Sequence, residues 1–475
     1  MALSPLFGDI NPTAQKQLTT GSYLDFTGGA GNDFSQQYLP EIYEAEVERY
    51  GNRTLSGFLQ MVGAEMPMTS DQVIWSEQNR LHVSYDACTI AANNDATVTV
   101  QDSDGSITGT KEHAIRVNSL IVILNPATST EQKAIVKGVT ATTVEAHPFD
   151  SATWANDLVS GTALKVFVYG SEFAKGTAGM SGSVEPSFTQ FNNSPIIIKD
   201  KYGINGSDTA QIGWVEVATE DGTSGYLWYL KAESETRLRF QDYLEMAMVE
   251  SEPADQATGG ISAASQSAKG TDGLFYAIET RGNVFSAFTA SLTDFDNILK
   301  NLDGQGAIEE NMLFLDRATN LAFDDMLAGL SAGANGGTAY GLFENSEEMA
   351  LNLGFTGFRR GSYDFYKTDW KYLNDASTRG ADSNFSSGEV DAIDGVLIPA
   401  GTSTVYDQIL GTNIRRPFLH VRYRASEADD RRMKTWITGS VGGAFTDDVD
   451  EMNIHFLSER ALCVQGANNF VLLKA

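Results

Sequence analysis

The stretch YLWYLKAESETRLRFQDYLEMAMVESE, residues 226–252, contains neither glycine nor proline. About 27 residues without a breaker make ~40 Å of helix. Ser224 stands where an N-cap belongs, and Pro253 stops the run. Phe240, Leu244, Ala247 and Met248 fall at i, i+4, i+7 and i+8 and predict one apolar face, with ETRLR at 235–239 on the polar side. The chain on either side reads differently, so one long helix is set into a largely β sequence.

Towards the N-terminus, residues 71–225 show a period of two. Strands are predicted at 73–75, 81–85, 195–199 and 211–218. Within this excursion, 115–170 reads as a compact β block. Its short β-branched strands at 119–124, 134–140, 143–146 and 163–169 are broken by Asn125-Pro126, Gly138, Pro148 and Gly161, the pattern of a small barrel or sandwich. KGTAGMSGS at 175–183 is a hinge. Residues 1–33 lack periodicity and read as an extended arm. A short helix follows Pro40, with Glu41, Glu44, Glu46 and Glu48 on its N-terminal side.

Towards the C-terminus, a small, polar loop spans 254–273. Ser291 or Thr293 caps a helix through Leu302, 312–315 is a buried strand, and 317–330 is an amphipathic helix. Phe355, Phe358, Tyr363, Phe365, Tyr366, Trp370 and Tyr372 mark antiparallel strands. Then come GVLIP at 395–399, a helical turn at 404–410 and a strand at 417–424. In that strand Leu419, Val421 and Tyr423 take one face and His420, Arg422 and Arg424 the other. Strands at 453–457, 461–465 and 470–473 close the chain. The fold class is α+β.

The chain has 475 residues, 42% hydrophobic and only 20% charged, ample for packed cores. Sixty-two acidic against thirty-three basic residues give a formal charge of −29, which disfavours a protein that grips nucleic acid phosphates. Cys88 and Cys463 are too far apart in sequence to suggest a zinc or redox pair. No secretory signal and no membrane span is visible.

None of the phosphate-loop, dinucleotide, zincin or nucleophile-elbow patterns occurs, and no cofactor or metal site is predicted. Asp102-Ser103-Asp104-Gly105 lacks the later ligands of a calcium loop and reads as a turn. The five histidines never pair at metal spacing. Asp324 and Asp325 are neighbours on a helix, pointing about 100° apart, which suits a solvated face better than a catalytic pair. The acidic run at 447–451 reads as a solvated turn. Arg415, Arg416, Arg422, Arg424, Arg431, Arg432 and Lys434 form a basic cluster, expected to pair with carboxylates of the same or a neighbouring subunit.

The order of these parts resembles the major capsid proteins of tailed bacteriophages, the Hong Kong ninety-seven-type fold. The likeness covers nearly the whole chain. Local stretches that carry it are the 226–252 helix, NMLFLDRATNLAFDDMLAG, GFTGFRRGSYDFYKTDW, GVLIPAGTSTVYD, PFLHVRYR and CVQGANNFVLLK, which are similar to a crAss-like or related podovirus-type subunit. The resemblance implies an N-terminal arm (1–68) and an extended loop (71–225) carrying an inserted β domain (115–170). It implies a peripheral domain (226–290 and 345–390) with a spine helix, and an axial domain (291–344 and 391–475) whose last strand returns to the peripheral sheet. It also implies a non-enzymatic subunit that self-assembles as hexamers and pentamers into an icosahedral shell around double-stranded DNA, without sequence-specific binding. Portal, scaffold and auxiliary capsid proteins would be partners, the virion its location, and the host cytoplasm its place of assembly. Arg359, Arg360, Arg415, Arg416, Arg422 and Arg424 are the candidates for inter-subunit pairs. Three other readings compete. One is an encapsulin-like compartment shell. Another is a β-rich surface or carbohydrate-binding protein using Trp154, Trp214 and the aromatic strands as ligand platforms. The third is a hydrolase built on Asp324, Asp325 and the 447–451 loop.

Overall fold

The computed structural model describes residues 65–78, 82–90, 97–99, 113–140, 143–161, 163–182, 188–207, 216–218, 224–254, 269–286, 288–289, 291–305, 308–332, 356–375, 378–379, 392–400, 402–407, 412–441 and 445–474. The arm expected at 1–68, except its last four residues, lies outside the described residues, as do the turn at 102–105 and Trp214. Two compact units form: Trp75–Phe191, and the chain on both sides of it.

The Trp75–Phe191 unit is a closed six-stranded barrel. Its order is Ser84–Ile90, Thr97–Thr99, Thr143–Pro148, Thr130–Val139, Ser119–Asn125 and Leu164–Ser171, which closes on the first. Alternation fills the interior with Ile121, Ile123, Ala134, Val136, Val144, Ala146, Leu164 and Val166. Register shifts at Tyr85/Cys88, Leu120/Ile121 and Val136/Gly138 supply the bends that closure needs. Ala87 takes the left-handed conformation (φ 54°) at the first of them. The unit is wider than the 115–170 block expected from sequence, because Ser84–Ile90 and Thr97–Thr99 complete the ring. The excursion ends at Phe191, short of residue 225. The strands Val73–Gln78 and Phe188–Asn193 pair as a two-stranded ribbon.

Among its described residues the second unit holds two larger sheets and two two-stranded ones. In the first, Glu65–Met68, Leu419–Arg424, Glu451–Val464 and Ile196–Asn205 lie in that order, and Lys434–Gly439 also pairs with Glu451–Val464. The long helix, Leu227–Glu250, packs on this sheet. Phe240 and Leu244 bury against Ile454 and Phe456, with the Phe240 and Phe456 rings 5.8 Å apart. Its predicted apolar face is therefore the packing face. Ser224 is not a cap: it lies in the strand Ser224–Tyr226, paired with Glu216–Ala218.

The second sheet is mixed, in the order Asn283–Phe285, Val471–Lys474, Ile393–Pro399, Glu310–Leu315, Tyr363–Asp369 and Thr356–Arg360. The helices Leu292–Gln305 and Arg317–Ala332 cover it. Ser291 caps the first through Asp294 N, and Asp316 caps the second through Thr319 N at 2.8 Å. An aromatic cluster of Phe288, Phe295, Phe323, Phe358, Tyr363 and Phe365 fills the space beneath. A further core joins the long helix (Met248, Val249) and the Leu274–Arg281 helix to residues of both larger sheets, among them Phe314, Val396, Leu419 and Leu462, and to Trp370.

This arrangement corrects the expected division at three places. The aromatic strands Thr356–Arg360 and Tyr363–Asp369, expected with the spine helix, join the sheet of Glu310–Leu315 instead, the second pairing with it directly, because Phe358 and Phe365 bury against Phe295 and Phe323. The strands Leu419–Arg424 and Glu451–Val464, expected in the axial domain, belong to the sheet under the long helix. The last strand, Val471–Lys474, lies between Asn283–Phe285 and Ile393–Pro399, not in the sheet under the long helix. The helical turn expected at 404–410 is instead a hairpin of Thr402–Asp407 and Thr412–Pro417, whose Thr402, Thr404, Val405 and Ile414 are β-branched.

Candidate interface and its charge network

Arg359 and Arg360 are consecutive on the Thr356–Arg360 edge strand, so their side chains point to opposite faces. Arg359 is exposed, 3.5 Å from its cross-strand neighbour Asp364. Arg360 forks Asp296 of the Leu292–Gln305 helix at 2.5 and 2.7 Å. The Arg360 guanidinium holds the Asp296 carboxyl below the usual carboxylate range. Nearby, Tyr363 donates to Asp303 of the same helix, and burial together with that carboxylate pushes the phenol up to about 12. Arg360 is thus an internal helix-to-sheet clamp, and Arg359 the outward member of the pair.

Arg422 and Arg424 lie on Leu419–Arg424, and Arg422 is half-buried. Arg424 bonds Asp71 and, at 2.9 Å, Glu459. Glu459 also accepts from Arg431 at 2.8 Å. Asp429 holds Arg431 at 3.3 Å and Lys434 at 2.7 Å. Glu65 pairs with Arg432 and, at 3.7 Å, with Arg460. The predicted basic cluster is therefore largely neutralised within the chain, and the network ties the four-residue edge strand Glu65–Met68 to its sheet. Sequence reading missed Glu65, Asp71, Glu459 and Arg460 as members. Their spacing along the chain carries no signal, since Glu65 and Arg432 meet only through the parallel pairing of Glu65–Met68 with Leu419–Arg424. Arg415 and Arg416 lie on the Thr402–Asp407/Thr412–Pro417 hairpin, opposite Thr404 and Ser403; their side chains lie outside the described residues.

The acidic candidates do not converge. Asp324 accepts from the buried Lys367 at 2.5 Å, and Asn320 Oδ1 accepts from the same ammonium at 2.7 Å. Asp325 is exposed. Residues 447–450 form an exposed turn leading into Glu451–Val464. Asp394 was not singled out from sequence. It lies at the start of Ile393–Pro399, and its carbonyl accepts from Asp316 N. Burial, and then the negative charge of Asp316, push its carboxyl up to about 6. Three histidines have hydrogen bonds to backbone or hydroxyl oxygens: His113 to Thr143 O at 3.2 Å, His420 to Pro417 O at 3.1 Å, His455 to Thr438 Oγ1 at 2.7 Å. Trp154, offered as a sugar platform, is buried in the barrel core.

No family model matches the chain, and no curated protein matches it. Among solved structures, it is similar to a chain of Microbacterium phage Oxtober96 at 9% identity and a TM-score of 0.38, covering 95% of this chain and 99% of that one. It is similar to the asymmetric unit of the bacteriophage PhiM1 mature capsid at 8% identity and a TM-score of 0.37, covering 97% and 98%. A chain of Mycobacterium phage Ogopogo has 12% identity and a TM-score of 0.34, covering 64% and 82%. Likeness at this level carries none of the functional reading.

Proposed function

We propose that this chain is the major capsid protein of a tailed bacteriophage, a structural and non-enzymatic subunit. Copies of it associate as hexamers and pentamers into an icosahedral shell around double-stranded DNA. Assembly takes place in the host cytoplasm with portal and scaffold proteins, and the product is the virion capsid. The observation that carries this reading is the order of parts on which the sequence resemblance rests. A β excursion holding an inserted β unit, then one long helix, then a helix-covered sheet with aromatic strands follow one another in the described structure. Repeated weak contacts suit a closed shell, because each subunit is held by several neighbours at once. The surplus of acidic residues favours solubility and limits adhesion to enclosed DNA. An encapsulin-like compartment shares the shell but is reached less readily by a chain with a whole inserted barrel.

Negative-stain electron microscopy with light scattering, on the protein alone and co-expressed with candidate scaffolds, tests the reading. Closed shells or hexameric and pentameric rings are expected. A monomer or dimer under every condition would overturn it.

A further inference from the structure

Two surfaces on the first sheet complement each other. In the strand Ile196–Asn205, the even-numbered residues turn inward and the odd-numbered ones outward. Ile198 packs with Phe240, Leu244, Ile454 and Phe456 on the side of the long helix. Ile197, Lys199 and Lys201 face away from it, all exposed, with Ile197 at 51%. Among the described residues neither lysine pairs with a carboxylate. In a chain of formal charge −29, two same-face lysines with no carboxylate partner among the described residues, beside an exposed isoleucine, form a locally basic and apolar patch.

The second surface is the turn between Lys434–Gly439 and Glu451–Val464. Phe445 is 85% exposed, and Asp447 and Asp448 beside it are exposed. The turn is pinned. Gly439 N donates to Thr446 Oγ1 at 2.9 Å, Ser440 Oγ to Val449 O at 2.7 Å, and Gly206 N to Asp450 O at 3.0 Å. Phe445 thus stands exposed at the start of a segment, 445–450, in which Thr446, Val449 and Asp450 are held by these bonds.

Register separates the two surfaces. Asn205 pairs with Glu451 at the turn, and Ile197 pairs with Glu459 at the far end. From Asn205 back to Ile197 the strand runs about 27 Å at ~3.4 Å per residue. On the same scale Lys201 and Lys199 lie about 14 and 20 Å from Asn205, and among the described residues neither bonds to the turn of its own chain, which leaves both open to the turn of a second copy. We propose that Phe445, Asp447 and Asp448 of one copy dock on Ile197, Lys199 and Lys201 of the next, a head-to-tail contact. This rests on the self-assembling reading above. Head-to-tail contacts close into rings when their rotation allows. Copies that repel through their acidic excess need such local opposite charge at the point of contact. Nucleic acid would satisfy the lysines but would leave Ile197 and Phe445 in water.

The test compares wild type, K199E/K201E, D447K/D448K and the fourfold charge swap by light scattering and electron microscopy. Each is first checked for an unchanged circular dichroism melt. Each double variant should raise the concentration needed for association by about tenfold, equivalent to ~1.4 kcal/mol, and the swap should restore it. Zero-length cross-linking of mixed light- and heavy-isotope copies should join Lys199 or Lys201 to Asp447 or Asp448 between copies. Wild-type assembly with unaffected double variants, or no rescue by the swap, overturns this contact and leaves the shell reading standing. Loss of DNA retention with normal shells in K199E/K201E overturns it in favour of a nucleic acid face. A wild type that never associates overturns both.

Discussion

The side-chain amide of Asn193 donates to the carbonyl of Leu462 across 2.7 Å, with both groups buried. The same nitrogen donates to Asp272 O at 3.1 Å, and the amide oxygen accepts from Thr271 Oγ1, Asp272 N and Ser194 N. One side chain thus joins the chain leaving the ribbon, the central strand of the first sheet and the segment before the Leu274–Arg281 helix. Asn193→Ala would leave Leu462 O and Asp272 N without that partner, at a cost of about 2–4 kcal/mol. Denaturant unfolding measures it. A loss under about 0.5 kcal/mol would show that water replaces the amide.

Arg359 and Arg360 separate folding from assembly. Arg360→Glu sets a carboxylate against Asp296 and should lower stability by about 1–3 kcal/mol. Arg359→Glu faces solvent and should leave the thermal midpoint within about 2 °C. If Arg359 contacts a neighbouring subunit, R359E alone should reduce the yield of closed particles. Equal melting of the two variants would contradict the clamp assigned to Arg360.

Local signals were legible and long-range pairings were not. The long helix is readable because no Gly or Pro interrupts it and its apolar positions repeat. The aromatic run is readable as strands, but its sheet is decided by Phe365 meeting Phe295, at a ring separation of 4.9 Å, which no local spacing encodes. The barrel's core strands are marked by turn residues, whereas Thr97–Thr99 is too short to leave a pattern. For the basic cluster, the need for carboxylates follows from charge alone. The identity of those partners, Glu65 and Glu459 among them, requires knowing which strands are neighbours.

Gly395 sits opposite Leu315 in the second sheet. A Cβ there would lie 2.7 Å from Phe314 O and 2.6 Å from Leu315 Cδ2. The carbonyl belongs to a central strand and cannot move without breaking its pairing. Gly395→Ala should therefore destabilise the protein by about 2–3 kcal/mol, despite the higher strand propensity of alanine. A thermal midpoint equal to wild type would show that the sheet yields at this position.

Asp394 and His455 should bend the pH profile of stability in opposite directions. The Asp394 carboxyl titrates at about 6 in the folded protein, above its ordinary value of 3.8. Between these values the folded state binds more protons than the unfolded one, so stability falls as pH rises. The penalty is complete above about pH 6 and absent below about pH 4. Asp394→Asn removes it, and should raise the thermal midpoint at pH 7 while leaving it unchanged near pH 4. His455 behaves conversely. Burial, with the positive charge of Lys201, lowers its affinity for a proton. Its contribution is present above the ordinary imidazole value of 6.5 and is lost as pH falls through that value towards the folded one. Melting scans from pH 4 to 8 separate the two, because D394N should leave the histidine's acid-side loss of stability unmasked. A midpoint at pH 7 that D394N fails to raise would mean that the carboxylate is solvated in the folded chain.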